Sequence, residues 1–98
     1  MSEKSKIILT PRVYVDRDGE RYHLEIELPG VKKEDVSLEI SERTFCIEGI
    51  RDDVEYYSCY TFGNPVNSEK VEANFSEGLL NVDVPLAHSL KRKKVEIK

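Results

Sequence analysis

An all-β chain, folded as an antiparallel immunoglobulin-like β-sandwich, is what three features of the sequence predict. Apolar residues recur with period two through nearly every segment, the signature of half-buried strands. Turn-forming residues interrupt that alternation at near-regular spacing. No segment carries a helical period over three turns, and no internal repeat is visible. The 98 residues suit one domain with a modest core.

Each element follows from its local pattern. Val13 and Val15 alternate with Arg12, Tyr14 and Asp16, and Asp18-Gly19 offers a favoured two-residue hairpin connection. Tyr22, Leu24, Ile26 and Leu28 then alternate with Arg21, His23, Glu25 and Glu27, giving one apolar and one charged face. Pro29-Gly30 ends that strand, because Pro cannot donate to the ladder and Gly permits a sharp turn. After a polar connection from Lys32 to Asp35, Val36, Leu38 and Ile40 alternate with Ser37 and Glu39. Ser41-Glu42-Arg43 forms a turn, and Phe45, Ile47 and Gly49 continue the pattern against Cys46 and Glu48. Val54 to Phe62 is rich in Tyr and Thr, which favour strands. Gly63-Asn64-Pro65 breaks it. Val71, Ala73 and Phe75 form another strand, Glu77-Gly78 turns it, and Leu80, Val82 and Val84 precede the closing Pro85. Ala87 to Lys94 reads as a mobile connector, and Val95-Glu96-Ile97 as a short apolar-charged-apolar end.

Composition narrows the function classes. A net charge of -4 argues against nucleic acid, whose binders concentrate positive charge on one face. The basic cluster Lys91-Arg92-Lys93-Lys94 reads as a solvated linker. No apolar run approaches the roughly 20 residues of a membrane-spanning helix. The polar stretch from Met1 to Lys6 lacks the apolar core of a signal peptide, so the cytoplasm is the expected compartment. Cys46 and Cys59 have no CxxC spacing and no neighbouring His, so zinc is not expected; small buried side chains are the expectation, with a disulfide left open. His23 and His88 read as solvated surface histidines. Glu25 and Glu27 share a charged strand face, and Asp52-Asp53 reads as a turn. No Gly-x-Ser-x-Gly elbow and no phosphate-binding glycine loop is present. A non-enzymatic chain without metal or cofactor is therefore expected.

Four segments in order carry a family resemblance: Leu28-Pro29-Gly30-Val31 with Glu34-Asp35-Val36; Gly49-Ile50-Arg51; Ala73-Asn74-Phe75-Ser76-Glu77-Gly78-Leu79-Leu80; and Val95-Glu96-Ile97. Over residues 10 to 97 the chain resembles the α-crystallin domain of small heat shock proteins, archaeal and bacterial type. It departs from that pattern in three places. Few residues precede Thr10, where the family usually has a longer arm. Residues 52 to 59 look too few to form the family's swapped strand. Ser58 and Phe62-Gly63 stand at positions where the family usually has Arg and Leu-Pro. The division implied is an N-terminal arm over residues 1–9, a β-sandwich over 10–86 and a C-terminal extension over 87–98.

The resemblance implies an ATP-independent chaperone that holds unfolding proteins and self-associates as a homodimer or larger oligomer. It places Val36, Leu38 and Ile40 beside Val71, Ala73 and Phe75 at a sheet edge, with an apolar groove between them. Val95 and Ile97 are the anchor expected to enter such a groove. Both point the same way, being two residues apart in an extended chain. Tyr56, Tyr57, Tyr60 and Phe62 are the candidates for dimer or client contact. The alternative is a monomeric co-chaperone-type (CS-domain) adaptor with the same architecture and one specific protein partner.

Overall fold

Two four-stranded sheets stack face to face in the computed structural model, which describes residues 6–90 and 93–98. The strands are β1 (Ile7–Leu9), β2 (Arg12–Arg17), β3 (Arg21–Glu27), β4 (Val36–Ile40), β5 (Thr44–Arg51), β6 (Val54–Thr61), β7 (Glu72–Ser76) and β8 (Leu79–Pro85). Short 3-10 turns cover Lys33–Asp35 and Ser68–Lys70. One sheet has the order β1-β6-β5-β4 and the other β2-β3-β8-β7. Six of the strands match the alternating segments read from the sequence closely, and β2 extends its segment to Arg17.

The predicted apolar faces form the core. Leu24, Ile26 and Leu28 from the β3 segment, Ile47 from β5, and Val82 and Val84 from β8 are fully buried, each contributing about 1.5–3 kcal/mol. Phe45, Phe62 and Tyr22 join them, with ring centroids 5.0 Å apart for Tyr22–Phe62 and 5.3 Å for Phe45–Phe62.

Three of the four segments that carry the resemblance converge at one end of the sandwich. Val31 N–H donates to Leu28 C=O, and Gly30 takes φ +81°, closing a tight turn. The Leu28 and Val31 side chains lie on Gly49, where a Cβ would come within 3.2 Å of Leu28 Cδ2. Leu28 N–H donates to Gly78 C=O at 2.7 Å. The Arg51 side chain covers Gly30, its Cζ is 5.8 Å from the Tyr56 ring centroid, and its Nη2 donates to the Tyr56 hydroxyl at 3.4 Å. These residues therefore hold the Leu28–Val31 turn against β5 and against the turn between β7 and β8.

Several expectations are corrected. Ile7–Leu9, assigned to the short N-terminal arm, forms β1 and pairs parallel with β6; residues 1–5 of that arm lie outside the described residues. The β2–β3 connection uses three residues, not two: Asp18 accepts from the Glu20 and Arg21 N–H groups through its side chain, so Glu20 is drawn into the turn. The connector after Pro85 is anchored at its start, with Leu86 N–H on Glu20 C=O, Ala87 N–H on Pro65 C=O and Leu90 N–H on Gly19 C=O. Lys91 and Arg92 of the basic cluster lie outside the described residues.

Candidate protein-binding edges

The two expected groove strands end different sheets. Among the described residues β4 pairs only with β5, and β7 only with β8, so each presents a backbone edge with no strand on it. Thr10 and Pro11 alone link β1 to β2, which brings those two edges together on one side of the sandwich. β4 and β7 therefore share the opposite side. They are not neighbours in one sheet, as the sequence reading had them. The opening between them is the seam of the sandwich.

Inward parity puts apolar residues along that seam. Val36, Leu38 and Ile40 face Gly49, Ile47 and Phe45 across the β4–β5 ladder and are half-buried. Val71 and Phe75 are also half-buried against the core. Ala73 opposes the buried Val82 but remains exposed, because its side chain is too short to reach over the edge. The seam thus has five partly covered apolar side chains and one gap.

The C-terminal residues do not fill it. Val95 is 73% exposed and Ile97 94%, and neither lies in a strand. Nor does this segment add an edge strand to either sheet.

The four aromatic candidates separate by parity. Tyr56 and Phe62 are core residues, 7% and 5% exposed, so neither offers surface to a partner. Tyr60 is half-buried and stacks on Phe45 at 5.1 Å. Tyr57 alone faces outward, 47% exposed. The segment from Val54 to Thr61 turns back at Asp52-Asp53, with Asp52 at φ +49°, as a hairpin on β5. No extra strand leaves this turn.

β6 supplies an edge that sequence reasoning missed. β1 covers it only at Val54, Glu55 and Tyr56. The stretch from Tyr57 to Thr61 has no strand on its outer side among the described residues. The signal was the apolar run Ile7-Ile8-Leu9, which lacks alternation. The cysteines also differ from expectation. Cys46 and Cys59 face outward, half-buried and exposed respectively, and are bonded to each other.

Electrostatic features lie away from the seam. His23 Nδ1 is 2.9 Å from Asp83 Oδ1, and its Nε2 is 3.7 Å from Glu25. The hydrogen bond to Asp83 raises the His23 pKa above its ordinary 6.5. Two backbone N–H groups lower the Asp18 pKa below 3.8. An open cleft of about 530 Å³ at the motif end is lined by Thr10, Arg12, Glu27, Tyr56 and Glu77 among others, with no histidine, serine or cysteine. Among the described residues no group of three potential metal ligands is present. Among the described residues no helix is long and apolar enough to cross a membrane.

Known proteins resemble this chain in sequence and shape. A profile of the Hsp20/alpha crystallin family matches residues 14–98. Small heat shock protein C4 of Rickettsia felis is 30% identical over 106 residues, covering 92% of this chain and 65% of its own length. The chain thus spans just under two thirds of that relative. A probable 15 kDa heat shock protein of Leptospira interrogans is 29% identical, with 93% of this chain and 80% of its own covered. Heat shock protein 16.0 from Schizosaccharomyces pombe superposes with a TM-score of 0.74 at 28% identity, covering 92% of this chain and 76% of its own.

Proposed function

The chain belongs to the Hsp20/α-crystallin family, and from that premise we propose that it is an ATP-independent holdase chaperone that binds unfolding proteins to limit their aggregation. The observation that carries this reading is the seam: Val36, Leu38, Ile40, Val71 and Phe75 are only half covered, between two free strand edges. An extended apolar chain gains there in two ways. Its side chains enter the seam, and its backbone adds to the β4 or β7 edge as a further strand. Neither step needs nucleotide, and no phosphate-binding loop is present in the sequence.

The exposed Val95 and Ile97 are the chain's own ligand for such a seam on a second copy. Burying both side chains yields roughly 3–6 kcal/mol before association costs. That is weak for one contact and effective when repeated across several copies. The tail and an unfolding client then compete for one surface, so self-association stores the seam and release exposes it.

The test is heat-induced light scattering of a model client without ATP. Suppression that rises with the amount of this protein supports the holdase reading; unchanged scattering at molar excess overturns it. Deleting residues 95–98 is expected to shrink the solution mass. Unchanged size and melting temperature would remove the tail from the account.

One observation favours a second reading. The tight Asp52–Asp53 turn leaves no segment to exchange with another subunit. A strict monomer that captures one protein partner would mark the chain as an adaptor.

A further inference from the structure

We propose that Cys46 and Cys59 form a reversible thiol–disulfide exchange site on the outer face of the β5–β6 hairpin, entered by a solution dithiol at Cys59. The proposal is independent of client holding and stands or falls on its own measurements.

Register creates the pair. Cys46 opposes Cys59 directly in the β5–β6 ladder, with Cα atoms 4.0 Å apart. The ladder runs on to both sides, from Thr44↔Thr61 to Arg51↔Val54. The two sulfurs are held together by strand pairing whether or not they are bonded. The bond joins strands that are already consecutive and hydrogen-bonded, so the fold is complete without it. Opening and closing it requires no rearrangement of the chain.

Access selects Cys59. Thiol–disulfide exchange proceeds by a thiolate approaching along the S–S axis. That axis crosses from β5 to β6. On the Cys46 side it runs out over β4, where Glu39 is the residue directly opposite; the shallow cavity beside Cys46 is lined by Glu39 and Glu48, whose negative charge repels an approaching thiolate. On the Cys59 side it runs past β6. β1 has left that edge by Thr10 and pairs no further than Tyr56. Cys59 is exposed and Cys46 half-buried, which reinforces the same choice.

The chemistry balances with a dithiol as reductant. Its first thiolate attacks Cys59 Sγ, the protein S–S bond breaks, and Cys46 leaves as a thiolate that takes a proton from water. The second thiolate of the reagent then attacks the reagent's own sulfur. Cys59 leaves, and the reagent departs as a cyclic disulfide. Two electrons and two protons pass to the protein. A small-molecule disulfide reverses the sequence, with Cys59 as nucleophile. Tyr57 assists the second step: its hydroxyl lies 3.2 Å from Cys59 Sγ. A disulfide sulfur carries no proton, so the phenol is the donor, and it is placed to stabilise Cys59 as it leaves.

Three measurements on the full chain test this. In dithiothreitol without denaturant, followed by alkylation, both cysteines are expected to be labelled while the β circular dichroism is retained. In a second reduced portion left unalkylated and freed of dithiothreitol, glutathione disulfide should restore the intramolecular bond. Labelling only under denaturant would overturn the site. With a brief glutathione pulse, peptide mapping is expected to find glutathione on Cys59 and the alkyl group on Cys46; the reverse pattern would overturn entry at Cys59. In a Cys46→Ser background, a preformed Cys59–glutathione adduct is released by added thiol. Tyr57→Phe is expected to slow that release about tenfold, and equal rates would remove Tyr57 from the mechanism.

Discussion

Gly78 shows how much one residue holds in place here. It takes φ +78°, and a Cβ would lie 3.1 Å from Pro29 Cα and 3.2 Å from the Leu28 carbonyl oxygen. Both neighbours are backbone and cannot swing away. Gly78→Ala is therefore expected to cost about 1–3 kcal/mol in denaturant unfolding. Gly63→Ala, whose nearest neighbour would be the Tyr22 hydroxyl at 3.6 Å, should cost far less. The turn role of Gly78 was legible in Glu77-Gly78, but the packing of Pro29 against it was not. That contact joins residues far apart in sequence, and only the pairing of β3 with β8 brings them together.

His23 gives a second prediction at this scale. Its pKa is raised, chiefly by the hydrogen bond to Asp83. The folded state thus holds a proton more tightly than the unfolded chain does. The stabilisation is fully present below pH 6.5, the unfolded value, and is lost as pH rises through the raised folded value. Both side chains are more than 40% exposed, so solvent screening keeps the effect below about 1 kcal/mol. Thermal melts across this window should show stability falling as pH rises, and Asp83→Asn should flatten the slope. Sequence alternation placed His23 on the outer face. It could not show Asp83 opposite, since that requires the β3–β8 register.

Among the elements, the β5–β6 hairpin is the most informative. Its symmetry was readable: Cys46 and Cys59 stand equally far from Asp52-Asp53, so a tight turn there pairs them. The sequence reading took Asp52-Asp53 as a turn yet expected small buried cysteine side chains and left a disulfide open. What it lacked was the parity, since alternation weakens along the Tyr-rich β6. The same weakness hid the division of Tyr56 and Phe62 to the core from Tyr57 to the surface. Replacing both cysteines by serine is expected to leave the fold intact and lower stability by no more than about 3 kcal/mol. That is the chain-entropy value for a loop of this length, with the sequence separation being 13. Loss of folding in this variant would mean that the bond, and not the ladder, holds the hairpin. β1 escaped notice for a different reason: Ile7-Ile8-Leu9 has no alternation, and its strand character comes from the edge of β6.

For the whole molecule, the order of strands matters more than their identities. The alternating segments foretold the sandwich and most of its core, because period-two patterning states which face each residue takes. It does not state which strand lies beside which. The seam strands were therefore recognised as apolar and as flanking a groove, but were assigned to one sheet edge and not to two. The structure puts them at the ends of two sheets, leaving an open side on the sandwich. That difference changes the proposed mechanism: a bound segment would slot between the sheets and extend one of them. Charging the seam should then abolish binding without unfolding the domain, because Leu38 sits at a free edge and is only half-buried. The most direct measurement compares the chain with its Leu38→Glu variant in heat-induced light scattering of one client, without ATP. The account predicts suppression by the chain and at least a halving of that suppression in the variant, with β circular dichroism unchanged. Equal protection by both, or none from the chain at molar excess, would contradict it.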